Sequence, residues 1–249
     1  MPDSERARVS GAGAPSLPRS LDSPREKQRY VRRLFATIAD RYDLVTRVLS
    51  YGRDAVWKRK LIAMSGVRSG ARALDLACGT GDIAFALADG GARVVGLDVT
   101  FRMLQLAARK SAGAGPAFIA GDMMALPFRD AEFEIVTTGY GIRNVPDIAP
   151  ALAEIHRVLA PGGTLLSLDF DRPSSAPMRA AYLGYLTIVG STLGWILHRD
   201  PDTYRYIPES IKRYPGAAGV SRLLEAGGFA DCRVVPLLGG LMAINVARK

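Results

Sequence analysis

The sequence predicts an α/β fold, a mostly parallel sheet with helices on both faces, and three observations carry that expectation. Short apolar, β-branched-rich runs alternate with helix-spaced segments through the middle of the chain, the order that parallel strands and crossover helices require. The first run ends in a Gly79-Thr80-Gly81 turn, and acidic residues recur in or just after the first three runs. At 249 residues, 48% apolar and 23% charged, the chain can bury a large core without disulfide staples.

Residues 1–24 are rich in Pro, Ser, Gly, Ala and Arg and read as a mobile basic tail without the apolar stretch of a secretory signal. Residues 25–66 read as an N-terminal helical cap. Five strands are expected at residues 71–77, 92–99, 117–122, 133–140 and 163–170, each bounded by Gly, Pro or Asp. Before the fifth, Leu152, Ile155, Val158 and Leu159 recur at helical spacing, giving a helix over 150–160 that Pro161-Gly162-Gly163 stops. The rhythm then breaks at an insertion, residues 171–215. Its stretch 180–197 holds 18 uncharged residues, the lower edge of what spans ~30 Å of hydrocarbon. Gly184, Thr187, Gly190, Ser191, Thr192 and Gly194 dilute that stretch. A helix packed over the domain or its pocket is favoured over a membrane span, and a membrane-touching helix lies between the two. A helix near 220–226 and strands at 231–238 and 240–247, joined at Gly239-Gly240 as an antiparallel hairpin, complete a seven-stranded sheet with no internal repeat.

The net charge of +9 invites nucleic acid, an anionic membrane or an acidic substrate, but it is unevenly placed. Residues 1–60 hold 14 Lys/Arg against 7 Asp/Glu, and the remainder 19 against 17, so the body is nearly neutral. Cys78 and Cys232 lie far apart and only two histidines are present, which suggests neither a disulfide framework nor a metal site and fits a reducing, cytoplasmic compartment. Cys78 reads as a small buried thiol, His156 as a partly exposed helix residue and His198 as a helix terminus.

The chemistry begins at LDLACGTGD, residues 74–82. A strand ending in Gly79-Thr80-Gly81 lets the backbone approach a ligand, and the next helix offers free N–H groups, with Asp82 placed as a first-turn acid. Asp98 closes the second strand, where such a fold sets a carboxylate for a ribose diol. Gly79-x-Gly81-x-x-Ala84 also satisfies the permissive dinucleotide pattern, so two ligands must be separated. A dinucleotide brings a pyrophosphate; S-adenosylmethionine (SAM) brings no phosphate and a sulfonium cation. Asp75, Asp98 and Asp122 at successive strands line one crevice with acids, which favours SAM.

LDLACGTGD, GLDVT, GDMMALPF with FEIVTTGYGIRNV, and HRVLAPGGTLLSLDF together resemble the successive motifs of class I SAM-dependent methyltransferases, with their Rossmann-like fold. GYGIRNV and YRYIPESI are similar to the signatures of one branch, the ubiquinone/menaquinone biosynthesis C-methyltransferases, and the likeness extends over residues 34–249. It implies methyl transfer from SAM to a ring carbon of a polyprenylated quinol, either demethylmenaquinol or its ubiquinol-pathway counterpart. It also implies that residues 25–249 form the methyltransferase domain, with the apolar insertion on the substrate side. Thr80, Gly79 and Gly81, beside Asp75, would then hold the methionyl part, Asp98 the ribose, and Asp122 with Met123 the adenine; Gly139 would lie near the donor. No covalent nucleophile and no metal are needed; an electron-rich carbon must be positioned and a proton removed. Arg143 and Asn144 follow the fourth strand, where the resemblance places the acceptor. Arg143 is too basic to act as a base, so it would orient a water or stabilise a phenolate. Tyr42, in ADRYD, would hydrogen-bond the ring oxygens. The plain reading of Arg143 is a structural salt bridge, and of Tyr42 a helix residue packed over the pocket.

Thr46, RYPGAAG and Asn245 depart from the family pattern in segments that flank the acceptor, which leaves the exact quinone open. A nucleic-acid methyltransferase lacks support, because no Asn/Asp-Pro-Pro-aromatic motif follows strand four and no basic-aromatic module is evident. Other readings are methylation of another lipid or polyketide phenol and a non-catalytic SAM-binding module, which leaves GIRNV without a use. A membrane-resident substrate gives the basic front and residues 180–197 a common purpose, peripheral contact with an anionic leaflet at its inner face. A homo-oligomer is compatible with either.

Overall fold

The computed structural model describes residues 23–111 and 115–249, so the expected basic tail lies outside the described residues except for Ser23 and Pro24. Those two start a helix. The Ser23 hydroxyl accepts from the Glu26 amide, and Pro24 occupies the first turn of α1 (Pro24–Ile38), where its missing N–H costs nothing. Two further helices, α2 (Tyr42–Leu49) and α3 (Asp54–Met64), precede the first strand.

The chain then alternates: β1 (Arg72–Leu76), α4 (Asp82–Asp89), β2 (Arg93–Asp98), α5 (Phe101–Lys110), β3 (Ala117–Ala120), β4 (Phe133–Gly139), α6 (Ile148–Val158) and β5 (Leu159–Phe170). Helices α7 (Ala176–His198), α8 (Tyr206–Arg213) and α9 (Gly216–Ala226) follow, and the hairpin β6 (Ala230–Leu237) and β7 (Met242–Arg248) closes the chain. The seven strands form one sheet in the order β3-β2-β1-β4-β5-β7-β6, with β7 antiparallel to both neighbours and the other pairings parallel. The chain runs outward from β1 to β3 and returns to β4 on the other side of β1. The order reverses between β1 and β4, and a crevice opens at their carboxyl ends.

Alternation along the strands feeds two cores. Leu74, Leu76, Val136 and Leu165 face Leu152 and Ile155 of α6 and Val220 and Leu224 of α9, while Ala73, Ile135 and Leu166 face Trp57 and Leu61 of α3 and Ile83 and Leu87 of α4. A third cluster joins α1, α2, α7 and α8 through Leu34, Val45, Leu49, Tyr182, Leu186 and Tyr206. This helical layer caps the sheet where Phe170 ends β5.

The structure corrects several boundaries. The third strand ends at Ala120, and Asp122 instead bridges Ala125 in the turn beyond. Helix α6 stops at Val158 because Leu159 turns extended to pair with Phe133. Pro161-Gly162-Gly163 therefore bulges a strand rather than ending a helix: Gly162 takes φ 77°, and the ladder resumes at Thr164 opposite Ile135. Helix α9 begins at Gly216, earlier than the apolar spacing suggested. The expected hairpin forms, with Gly239 and Gly240 at φ 64° and 89°.

Arg157 fastens the connection between β3 and β4. Its guanidinium donates to the carbonyls of Leu126 (3.0 Å) and Phe128 (2.8 Å) and to the carboxylates of Asp130 and Glu154. Arg157→Ala should cost about 1–3 kcal/mol, roughly 2–4 °C in Tm per kcal/mol for a chain of this size. Calorimetry showing no loss of Tm would mean that packing alone holds this connection.

Candidate active site

Three cavities meet at the carboxyl end of β1 and β4. The first, a cleft of about 710 Å³, runs beneath α1 and is lined by Gly79, Asp98, Asp122, Met123 and Gly139. A smaller one, about 310 Å³, continues past the Gly-rich turn to Thr80, Asp75 and Lys58. The third, again about 710 Å³, lies within the helical cap and is apolar, lined by Leu34, Ile38, Val45, Leu49, Phe170 and Tyr182 among others. Tyr42 and Tyr140 line all three, so the two phenols stand where the cavities join.

The backbone of the turn is built for close approach. Gly79 and Gly81 adopt φ 55° and 89°, and a Cβ on Gly81 would lie 2.8 Å from the Phe85 ring. Two residues with side chains share the left-handed region here, Ala77 (φ 50°) after β1 and Tyr140 (φ 61°) after β4, a strain of order 1 kcal/mol each that tends to gather at functional sites.

The acids of the first two cavities are each placed differently. Asp98 is buried and accepts from the amides of Gly79 (2.9 Å) and Thr100 (2.7 Å), which ties the Gly-rich turn to the end of β2. Burial raises its pKa against those hydrogen bonds. Asp122 accepts from the Gln28 side chain of α1 (2.5 Å) and the Met124 amide (3.0 Å), so α1 closes over the crevice. Asp75 is fully buried; the Thr137 hydroxyl donates to one oxygen (2.8 Å), and the other has no partner. Burial, only partly offset by Thr137, pushes its pKa up to about 7. Thr80 donates to Asp43 of α2 (2.7 Å). Asp82 sits in the first turn of α4, as expected, and holds Lys58 (2.9 Å) and Lys110 (3.2 Å).

Toward the apolar cavity, Arg143 and Asn144 fall in a single 3-10 turn, Ile142–Asn144, directly after β4. Arg143 is buried. Its Nη1 pairs with Asp169 (2.8 Å), its Nε donates to Ser210 of α8 (3.0 Å), and its plane lies over the Phe170 ring at 4.6 Å. Burial lowers its pKa, but Asp169 together with Tyr206 and Tyr42 more than offsets that and keeps it protonated. The salt bridge of the plain reading is therefore present, and the guanidinium also lines the apolar cavity. Asn144 donates to the Tyr140 carbonyl (2.7 Å) and accepts from the Tyr206 hydroxyl (2.9 Å), locking the turn to α8. Tyr42 is half-buried, and its partial removal from water raises its pKa to about 12.

Sequence reasoning did not single out Tyr140, Asp54, Lys58 or Asp169. The Tyr140 hydroxyl donates to Asp54 (2.6 Å), which in turn holds Lys58 (2.6 Å). The i,i+4 spacing of Asp54 and Lys58 was visible in DAVWK; the long-range contact to Tyr140 was not. Among the described residues no cluster of His, Cys, Asp and Glu suits a metal ion. His156 stacks edge-on against Phe229, and His198 ends α7 against the Tyr204 hydroxyl (3.0 Å).

The acid-lined crevice fits SAM. A ligand carrying an ammonium and a sulfonium offers the orphaned Asp75 oxygen a partner, whereas a pyrophosphate would face Asp75, Asp98 and Asp122 with like charge.

Residues 23–249 match the ubiE/COQ5 methyltransferase family. The chain is 40% identical over 220 residues to the demethylmenaquinone methyltransferase of Thermus thermophilus, covering 87% of this chain and 100% of that one. It is 39% identical to the protein of that name from Beutenbergia cavernae, over 87% of this chain and 89% of the relative. A SAM-dependent methyltransferase of Thermotoga maritima shares the fold, with a TM-score of 0.65 at 18% identity over 88% of this chain and 99% of that one. So does the [4+2]-cyclase SpnF, with a TM-score of 0.54 at 18% identity over 78% and 79%, so the fold by itself does not fix the chemistry.

Asp75 leaves a pH signature. The unfolded carboxyl ionises near ~3.9, whereas the folded one holds its proton to about 7. Between those values the folded state binds more protons, so the contribution of Asp75 to stability falls as pH rises from ~4 to ~7. Melting curves of wild type and Asp75→Asn, without ligand, should diverge over that window in favour of the variant. A pH-independent difference would place the titration elsewhere.

Proposed function

The chain belongs to the ubiE/COQ5 methyltransferase family, and on that premise we propose that its acceptor is demethylmenaquinol. It is a SAM-dependent C-methyltransferase of respiratory quinone biosynthesis. The observation that carries the acceptor assignment is the meeting of an acid-lined crevice with a large apolar cavity at two phenols, the half-buried Tyr42 and the buried Tyr140. An isoprenoid-bearing aromatic ring fits that division: the ring at the phenols, the chain along Leu34, Ile38, Val45 and Leu49.

Asp75 and the Gly79–Gly81 turn would hold the methionyl end of SAM, Asp98 the ribose and Asp122 with Met123 the adenine, with Gly139 beside the reacting group. When bound, SAM supplies an electrophilic methyl whose S–C bond breaks as a ring C–C bond forms. The protein's own contribution is to orient the ring, exclude water and hold the charge that develops on the quinol oxygen. Arg143 is suited to the last of these, because it lines the cavity and Asp169 and Ser210 fix its guanidinium. Asn144, saturated by Tyr140 and Tyr206, shapes the turn rather than touching the ring. Tyr42 hydrogen-bonds a ring oxygen.

The cavity's mouth supports peripheral membrane contact. Tyr51 is half exposed, lines the cavity and stacks on Tyr185 of α7 at 4.7 Å. Leu44 and Val48 of α2 and Ile188, Trp195 and Ile196 of α7 are exposed too, as are Arg47, Arg53 and Arg199. Helix α7 has the length and apolarity of a span, with a mean hydropathy of 1.4. It nevertheless buries Tyr182, Leu186, Gly190 and Gly194 against the cap. A helix held along one side and apolar along the other can lie in an interface.

Purified protein with methyl-labelled SAM should label demethylmenaquinol, and label appearing in bulk RNA or in other phenols but not in demethylmenaquinol would overturn the acceptor assignment. The ubiquinol precursor, tested in parallel, reports whether one or both quinones are accepted. For the membrane, Trp195 is exposed and Trp57 buried, so anionic vesicles should blue-shift the emission of Trp195. Trp195→Ala/Ile196→Glu should weaken binding roughly tenfold, and unaltered binding would remove this face from the contact.

A further inference from the structure

Tyr140 combines four properties that no other side chain of the site shares. It lines both the acceptor cavity and the two donor-side cavities, it is buried, its backbone is held in the left-handed region, and its hydroxyl donates to a carboxylate, Asp54, at 2.6 Å. Asp54 does not end the path. Its other oxygen holds Lys58 at 2.6 Å, Lys58 reaches Asp82 at 2.9 Å, and the Asp82 side chain is 42% exposed. A continuous hydrogen-bonded chain thus runs from the point where the cavities join to solvent.

We propose that Tyr140 and Asp54 are the proton-transfer pair of the reaction, with Tyr140 in contact with the quinol hydroxyl and Asp54 as the acceptor behind it. This rests on the quinol reading above. The steps balance as follows. The quinol O–H proton passes to the Tyr140 oxygen as the Tyr140 proton passes to Asp54, leaving a phenolate with raised electron density at the neighbouring ring carbon. That carbon gains the methyl and becomes tetrahedral, and the oxygen becomes a carbonyl. Loss of the ring proton restores the aromatic ring, and the proton stored on Asp54 returns through Tyr140 to the oxygen. One proton, the ring proton, is released overall.

Other phenols fit less well. Tyr206 donates to Asn144, an amide that cannot take up a proton. Tyr204 meets His198 at 3.0 Å, but it lines the acceptor cavity alone and stands away from the donor side. Tyr42 shares the position but has no hydrogen-bonded carboxylate among the described contacts. The charges facing the pair suit transfer. Burial would favour a neutral Lys58, yet Asp54 and Asp82 together hold its pKa well above the ordinary value, and burial with the adjacent Asp54 carboxylate keeps the Tyr140 phenol protonated at rest.

Tyr140→Phe removes one oxygen and keeps the ring. In the full chain it should bind SAM within about twofold of wild type by calorimetry and show a KM for demethylmenaquinol within about threefold, while kcat falls tenfold or more. Two further readouts separate proton transfer from a packing defect. The kcat of Tyr140→Phe should climb with rising pH as the quinol ionises unaided, while wild type stays level. The defect should also shrink for a more acidic, halogen-substituted quinol. Asp54→Asn should follow the same pattern. A kcat near wild type, or a deficit that is constant across pH and across quinols, would overturn the proposal. Wild type that fails to methylate demethylmenaquinol would instead overturn the acceptor assignment and leave this pair without its substrate.

Discussion

The buried ion pair between Arg143 and Asp169 is the interaction on which the arrangement of sheet and cap depends. Asp169 lies near the carboxyl end of β5 and takes the Arg143 side chain together with the amides of Arg143 and Phe170, so one carboxylate ties the turn after β4 to the strand beside it. Arg143 then reaches Ser210 of α8, and its carbonyl with that of Val145 accepts from Lys27 of α1. Two of the four cap helices, α1 and α8, are thus anchored to one turn. Removing either charge would leave the other buried and uncompensated, a loss of about 3–5 kcal/mol, whereas the intact pair adds little net stability. What the pair supplies is placement: a cation fixed at the wall of an apolar cavity, without freedom to fold away.

The charges around the three cavities are unevenly placed. Carboxylates gather in the two beside the Gly-rich turn, with Arg32 and Lys58 among them, and phenols with a single guanidinium line the apolar one. Methyl transfer to carbon discharges a sulfonium and releases a proton, so positive charge must leave an apolar enclosure. Exposed carboxylates at Asp82 and Asp43, linked through Lys58, Lys110 and Thr80, form the nearest polar route outward. Behind the turn after β4 and outside these three cavities, burial and the nearby Arg143 and Arg213 lower the pKa of Lys27 to about 8 although two carbonyls accept from it.

Much of this was legible in the chain, and the reasons differ by residue. Strand alternation, the Gly79–Gly81 turn and Asp98 at the end of β2 are local patterns whose period and spacing carry their own meaning. The start of β5 was not, because the pairing of Leu159 with Phe133 overrides what Pro161-Gly162-Gly163 does locally. Arg143 could be placed but not paired, since Asp169 is 26 residues away and lies in a strand motif that reads as core. Tyr140 was hidden more thoroughly. Its motif drew attention to the Arg143 and Asn144 that follow, its positive φ leaves no trace in composition, and its partner lies 86 residues upstream in another element.

The apolar helix α7 shows how the same residues can answer two physical demands. Its glycines are placed, not merely diluting: a Cβ on Gly190 would crowd Tyr204 at 3.3 Å, and one on Gly194 would lie 2.5 Å from the Asp200 carbonyl. They let the helix lie close against the segment that leads into α8, and Arg199 then ends it in the left-handed conformation at φ 57°. A membrane-crossing helix would give up that contact, uncover the Tyr204 and Tyr206 rings and open the acceptor cavity to water. Docked as it is, α7 closes one wall of the cavity with Tyr182 while its far side offers Ile188, Trp195 and Ile196 outward. Under the proposed membrane contact, a lipid-borne ring would reach the phenols along apolar surface and its tail would not have to cross water.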